Sequence, residues 1–296
     1  MIDQAKLLRE KVMQKKSKKE RRPTRVIAVT SGKGGVGKSN FALNFALSLA
    51  QQNKKVLIFD VDLGFANIDV LLGRSPEESI ATMIEKDLAI WDIIEEGPNG
   101  LLFISGGTGF DEMFRLDEAK MNKFFDELSQ IQGHVDYVIL DTGAGLSYEN
   151  LRFILAADDV ILVTTPEPTS ITDAYSVVKM VHAKDENVHI KLVINQCTSD
   201  KEGTQTAENF KKVTQQFLDK QIGTLGFIPS DAQVPSAVKK QVPFILAYPN
   251  GQASKAMQAL TCDFLELPVP YKLGLKGFLL KMLFKQNCIE LVKKSL

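Results

Sequence analysis

A chain of 296 residues with 44% hydrophobic and 24% charged side chains has material for one large core, and its composition excludes wholesale disorder. Its 36 basic and 36 acidic residues cancel, yet residues 1–25 carry ten Lys or Arg against three Asp or Glu, and residues 271–296 carry six against one. Two basic ends therefore flank an acidic body, which directs the ends toward acidic partners, anionic lipid or nucleic acid and argues against nucleic acid binding by the body.

Residues 1–24 read as a short basic helix from Asp3 to about Lys16, followed by a polar linker closed by Pro23. The opening segment lacks the apolar stretch of a secretory signal, and no run of about 18 apolar residues occurs anywhere. Cys197, Cys262 and Cys288 are odd in number and contain no CxxC pair, the pattern of reduced thiols. Together these predict a cytoplasmic protein without a membrane span.

From residue 25 to 267 short apolar, β-branched runs alternate with amphipathic stretches. RVIAVT, KVLIFDV, LLFIS, DYVILD, DVILVTT, HIKLVIN and GTLGFI are nearly continuous apolar segments, as in strands buried on both faces. Helical patterns fill Asn40 to Gln51, Asp117 to Gln132, Thr169 to Ala183 and Thr204 to Lys220. This alternation predicts an α/β fold, a doubly wound and mainly parallel sheet of seven or eight strands with helices on both faces. Trp91, in a helix-like run with Leu88, Ile93 and Ile94, is expected in the core. Gly106 to Gly109 reads as a strand-end loop, because no lysine follows at the distance a phosphate loop needs.

The first run leads into Gly32, Lys33, Gly34, Gly35, Val36, Gly37, Lys38 and Ser39, a GxxxxGKS phosphate loop between a strand and a helix that begins near Asn40. Its glycines let successive N–H groups turn toward phosphates at the helix N-terminus. Lys38 then adds a point charge, and the Ser39 hydroxyl is placed for Mg²⁺. Lys33 stands too early in the loop to reach its own phosphates easily; by spacing alone it is either a surface lysine or a group for another chain's nucleotide. Asp60 and Asp62 end the second run at the sheet's ligand-binding edge, with Asp60 suited to magnesium or to loop support. Asp141 ends a later run, ahead of Gly143 and Gly145, which would let that loop respond to a γ-phosphate.

Residues 268–296 follow the Pro268 to Pro270 break. Leu275, Phe278, Leu279, Met282 and Leu283 fall at i, i+3, i+4, i+7 and i+8, a single apolar stripe flanked by Lys276, Lys281 and Lys285. Such a segment suits a helix lying on an anionic membrane surface, or docking on the protein's own body.

KGGVGK at residues 33–38 resembles the deviant Walker A motif of the MinD/ParA ATPases. The resemblance spans about residues 25–265 and implies an ATP-sandwich homodimer in which Lys33 crosses to the partner's phosphates. It further implies that Asp62 orients the attacking water and that Asp141 holds Mg²⁺. Asn195 stands where the family contacts adenine, and Pro229 and Asp231 lie in the loop that packs on the base; an NKxD guanine motif is absent, which favours ATP. A purely structural Asn195 remains the alternative. Within the family, the N-terminal DQAKLLR resembles the DQAxxLR segment of the flagellar regulators of the FlhG (YlxH, FleN) group. That likeness implies control of flagellar number or placement, reversible attachment to the inner face of the cell membrane, and contact with flagellar switch or basal-body proteins. It also implies stimulation of the partner GTPase FlhF, with Gln4 and Arg9 as contacts. A septum-positioning or partition ATPase, or a scaffold without hydrolysis, is the competing reading.

Overall fold

The computed structural model describes residues 23–62, 67–105, 118–145, 147–266 and 274–282. Eight strands build one sheet: β1 (Arg25–Ser31), β2 (Val56–Val61), β3 (Glu95–Glu96), β4 (Leu102–Ile104), β5 (Tyr137–Ala144), β6 (Asp159–Thr164), β7 (Ile190–Cys197) and β8 (Gly223–Pro229). Their order is β3-β4-β2-β5-β1-β6-β7-β8, parallel except for β3 against β4. The antiparallel β3 is two glutamates long, which is why no apolar run announces it.

Alternation along the strands sends side chains to opposite faces. Ile27 and Val29 of β1, with Ile58 and Ile139, pack against α1 (Lys38–Gln51), α9 (Phe244–Ala247) and α10 (Gln252–Glu266). Val26, Ala28, Leu57 and Leu140 face the other way, toward α3 (Ile80–Lys86), α4 (Glu118–Ser129) and α5 (Tyr148–Ala156). The same face continues under α6 (Pro168–Lys184) and α7 (Asp200–Leu218), while α2 (Ile68–Leu72) and α8 (Gln233–Lys239) sit at the strand ends.

At the opposite end of the sheet, Arg25 Nε donates to Asp159 Oδ2 at 2.6 Å, and Lys191 pairs with the other oxygen. Arg25 also lies 4.7 Å over the Phe264 ring, tying the end of α10 to the sheet. Burial alone would raise the Asp159 pKa, but hydrogen bonds and charge from Arg25 and Lys191 outweigh it and hold this carboxyl below its ordinary range.

Residues 274–282 form a final helix, α11, seated against α5 and Thr24 just before β1. Leu275, Phe278, Leu279 and Met282 are buried there, with Phe278 stacked on Phe153 at 6.4 Å. Arg152 Nη2 donates to the Met282 carbonyl at 2.8 Å, and the Leu275 N–H donates to the Thr24 carbonyl at 2.8 Å. Gly274 sits at φ +59, where a Cβ would stand 2.6 Å from that same carbonyl. Leu283 lies outside the described residues. No helix among the described residues is long and apolar enough to cross a membrane.

Trp91 corrects the expectation of a core position. Residues 90–92 form a short three-fold turn in which Ile90 and Ile93, three apart, point inward; Trp91 is 41% exposed and packs edge-on against His134. Gly106 to Gly109 lie outside the described residues.

Candidate nucleotide site

The carboxyl ends of β1, β2, β5 and β7 converge on a cleft of about 760 Å³, within the roughly 300–1,000 Å³ of small-molecule sites. Lys33, Gly34, Gly35, Gly37, Lys38, Ser39, Asn40, Asp62, Asn195, Pro229 and Asp231 all line it. Gln196, a residue the motif reading passed over, does too. The far wall is apolar, with Val234, Pro235, Phe244 and Met257, suiting a flat heterocycle at that end.

The loop is built to receive an anion. Gly35 and Gly37 hold φ of +83 and +86, and a Cβ on Gly34 or Gly35 would meet nothing within 4 Å, so both border open space. Gly37 leads into α1 without a side-chain cap, and α1 has no acidic residue in its first turn; its orphan N–H groups are left for a ligand. Gly32 is small for a different reason: a Cβ there would lie 2.2 Å from the Asp173 carbonyl carbon of α6. Val36 is buried in the core and contributes its backbone alone.

Lys38 Nζ donates to Asp141 Oδ1 at 2.6 Å, with both groups buried, and lies 3.3 Å from Ser39 Oγ. Asp141 Oδ2 is buried with no hydrogen-bond partner. Burial keeps the Asp141 carboxyl above its ordinary range in spite of the neighbouring Lys38 charge. An orphaned carboxylate oxygen near a hydroxyl is a donor set that fits Mg²⁺, which Ser39 and Asp141 would hold.

Asp60 pairs in register with Asp141 across β2 and β5, but its oxygens accept from the backbone N–H groups of Asp62, Asn67 and Ile68. Burial, with the Asp141 charge beside it, pushes its carboxyl up to about 7. Asp60 is not among the residues lining the cleft, and its bonds brace the backbone of Asp62, Asn67 and Ile68. Asp62 lies at the cleft, and a Cβ on Gly143 would stand 3.3 Å from Asp62 Oδ1, so the glycine permits that approach.

Asn195 Nδ2 donates to the Val36 carbonyl at 2.8 Å, bracing the phosphate loop from β7. Asp231 accepts from the N–H groups of Gln233 and Ala253, shaping the loop after β8 with both oxygens. Both residues therefore act on the cleft partly by holding backbone. Lys33 Nζ donates to Glu167 Oε2 at 3.1 Å and Thr169 Oγ1 at 2.9 Å in its own chain. Gln4 and Arg9 lie outside the described residues.

A phosphate loop on a parallel sheet, an ion-paired lysine and a strand-end aspartate define a P-loop nucleotide-binding protein. The ParA family, described as NUBPL iron-transfer P-loop NTPase, matches residues 22–264. The chain is 37% identical to the antiactivator FleN of Pseudomonas aeruginosa, over 84% of this chain and 89% of that protein. It is 34% identical to the flagellum site-determining protein YlxH of Helicobacter pylori, over 88% and 90%. A chain of the MinC:MinD cell division complex of Aquifex aeolicus superposes with a TM-score of 0.69 at 25% identity, covering 84% of this chain and 99% of that one. The protein belongs to the ParA/MinD family of P-loop NTPases. Its three cysteines contain no CxxC pair, and burial pushes the Cys197 thiol up to about 11.

Proposed function

We propose that this protein is an ATPase that pairs two copies around ATP and regulates flagellar number or placement. The observation that carries the nucleotide chemistry is the buried Lys38–Asp141 pair, its second carboxylate oxygen unpartnered beside Ser39. Similarity to FleN and YlxH supports the flagellar assignment over septum positioning, and the N-terminal DQAKLLR points the same way.

Phosphoryl transfer asks a protein for positioning and charge neutralisation above all. The Gly34 to Lys38 backbone and the Lys38 ammonium hold the phosphates, while Ser39 and Asp141 hold Mg²⁺. Magnesium, when bound, supplies positive charge against the phosphate oxygens. Asp62 orients the attacking water, and Lys33 crosses to the nucleotide of a second copy. Asn195 and the Pro229 to Asp231 loop form the adenine end.

Helix α11 is the membrane element of this reading. Seated against α5 it is withheld; released, its stripe of Leu275, Phe278, Leu279, Met282 and Leu283 lies in an anionic membrane surface, leaving the body on the cytoplasmic side. Two tails on one ATP-bound pair gain avidity that one tail lacks. The basic N-terminal segment, through Gln4 and Arg9, stimulates a signal-recognition-particle-type GTPase, FlhF, and other contacts reach flagellar switch or basal-body proteins.

Mixing the full-length protein with that GTPase and following GTP turnover tests the assignment. A raised rate supports it; an unchanged rate across a range of concentrations would remove the flagellar GTPase from the account.

A further inference from the structure

Trp91, the single tryptophan of the chain, stands 41% exposed on a turn that is otherwise fixed. Ile90 and Ile93 are buried beneath it, the Ile90 N–H donates to Glu127 Oε2 at 2.8 Å, and the Ala89 N–H donates to Asp92 Oδ2 at 3.0 Å. The turn therefore presents the indole outward, with the His134 ring edge-on at 5.1 Å. Trp91 is not among the residues lining the nucleotide cleft. A large ring with an apolar body and one N–H suits a surface that is apolar on one side and wet on the other.

The place of the ring in the fold points to such a surface. His134 lies between Gly133, whose N–H donates to Thr24 Oγ1 at 2.8 Å, and Val135, whose carbonyl accepts from that hydroxyl at 2.7 Å. The Thr24 carbonyl in turn accepts from the Leu275 N–H at the base of α11. Trp91 and the start of α11 thus share one end of the sheet, where β1 and β5 begin. Helix α10 ends there too, with the Phe264 ring 4.7 Å from the Arg25 guanidinium and 6.1 Å from the Tyr137 ring. Residues 267–273 join α10 to α11, a reach of roughly 25–30 Å at full extension. A membrane that takes up α11 therefore lies close to this end, and the nucleotide cleft at the carboxyl ends of the strands faces away from it.

Charge at the same end suits anionic lipid. Lys54 and Lys55 precede β2, and the Lys55 carbonyl accepts from the N–H groups of Asp136 and Tyr137, which sets the two lysines beside the start of β5. The basic stretch of the sequence before Pro23 leads into β1 at this point, and Lys276 is exposed on α11. The carboxylates of Asp92, Glu127 and Asp136 are engaged by the backbone N–H groups of Ala89, Ile90 and Lys55.

We propose that Trp91 is a second lipid contact, carried on the body, whose indole enters an anionic headgroup layer when α11 is released, with His134 holding the ring outward. This rests on the membrane reading of α11 above. A tethered helix alone holds the body at one point; a ring fixed to the body at the same end also sets its orientation. The exposed 41% of a tryptophan is roughly 60–100 Å² of surface, and its transfer to lipid strengthens binding by about tenfold.

The single tryptophan makes its own probe. Full-length protein with a non-hydrolysable ATP analogue is mixed with vesicles of phosphatidylglycerol and phosphatidylcholine. Emission from Trp91 should shift to the blue, and lipid brominated near the headgroup should quench it. In sedimentation, Trp91→Ala should bind about tenfold more weakly and Trp91→Phe within about threefold of the wild type. Vesicle binding by the wild type without shift or quenching, or equal binding by Trp91→Ala, would overturn the contact and leave α11 to hold the membrane alone. Emission already blue and shielded from iodide in the absence of vesicles would overturn it too, by placing the ring under another part of the protein. Absence of vesicle binding by the wild type in every nucleotide state would overturn the membrane reading of α11 itself, and this contact with it.

Discussion

Lys38 and Asp141 meet under the phosphate loop with Nζ 2.6 Å from Oδ1, both out of solvent, in a pair that leaves one carboxylate oxygen unsatisfied. Two buried charges lose much of their mutual attraction to desolvation, so this pair is positioned by the fold more than it stabilises it. In the proposed ATPase an entering polyphosphate would find the lysine already placed, with one carboxylate oxygen still free to accept.

Lys33→Ala should weaken pairing of two chains by about tenfold or more while nucleotide binding by the single chain persists, because charge pairs across an interface couple by roughly 1.5 kcal/mol or above. Light scattering with a non-hydrolysable analogue reads the first effect and calorimetry the second. Undiminished pairing would return Lys33 to an ordinary surface lysine held by Glu167.

Gly274→Ala should loosen α11, since the new methyl meets the Thr24 carbonyl and the backbone sits in the left-handed region. A cost of about 1–2 kcal/mol corresponds to roughly tenfold more binding to anionic vesicles without nucleotide. Phe278→Glu should abolish vesicle binding in every nucleotide state. Sedimentation separates these outcomes; vesicle binding by Phe278→Glu at the wild-type level would exclude the helix as the membrane element.

A synthetic peptide of residues 1–23 should raise the GTPase rate of the flagellar partner, and its Gln4→Ala counterpart should not. A glutamine can steady a water or a catalytic loop in a composite site, whereas the basic charge is the same in both peptides. Equal stimulation would reduce the effect to charge.

Asp159 predicts the acid end of the stability profile. Its folded pKa is depressed, so its contribution is present above the unfolded value near 4 and is lost as pH falls below that toward the folded value. Asp159→Asn should lower stability at neutral pH by about 3 kcal/mol, leaving Arg25 and Lys191 without their shared carboxylate, and should flatten the loss below pH 4. Thermal melts from pH 3 to 7 measure both; a parallel loss in the variant would place the acid sensitivity elsewhere.

The parallel strands were legible because each is a short apolar run, and the phosphate loop because its residue types and spacing follow from one task. What escaped depends on where the chain returns. That Asp60 accepts from the backbone of Asn67 and Ile68 could not be read before the chain came back over it. Glu167 and Thr169 reach Lys33 from more than 130 positions away, and the available signal was only that β6 neighbours β1 at the ligand edge. The stripe of α11 was plain in the sequence, while its seat depends on where α5 and the start of β1 come together. Trp91 went astray because a three-residue turn repeats differently from the longer helix its neighbours suggested.

The measurement closest to the central claim compares two substitutions in the same cleft. By titration calorimetry, Lys38→Ala should bind ATP about 100-fold or more weakly, as a desolvated charge partner is worth roughly 2–5 kcal/mol. Asp62→Ala should bind within about threefold of the wild type and release phosphate at least about 100-fold more slowly, the scale on which a positioned carboxylate acts on a reacting water. ATP bound normally by Lys38→Ala, or hydrolysed at the wild-type rate by Asp62→Ala, would contradict the account.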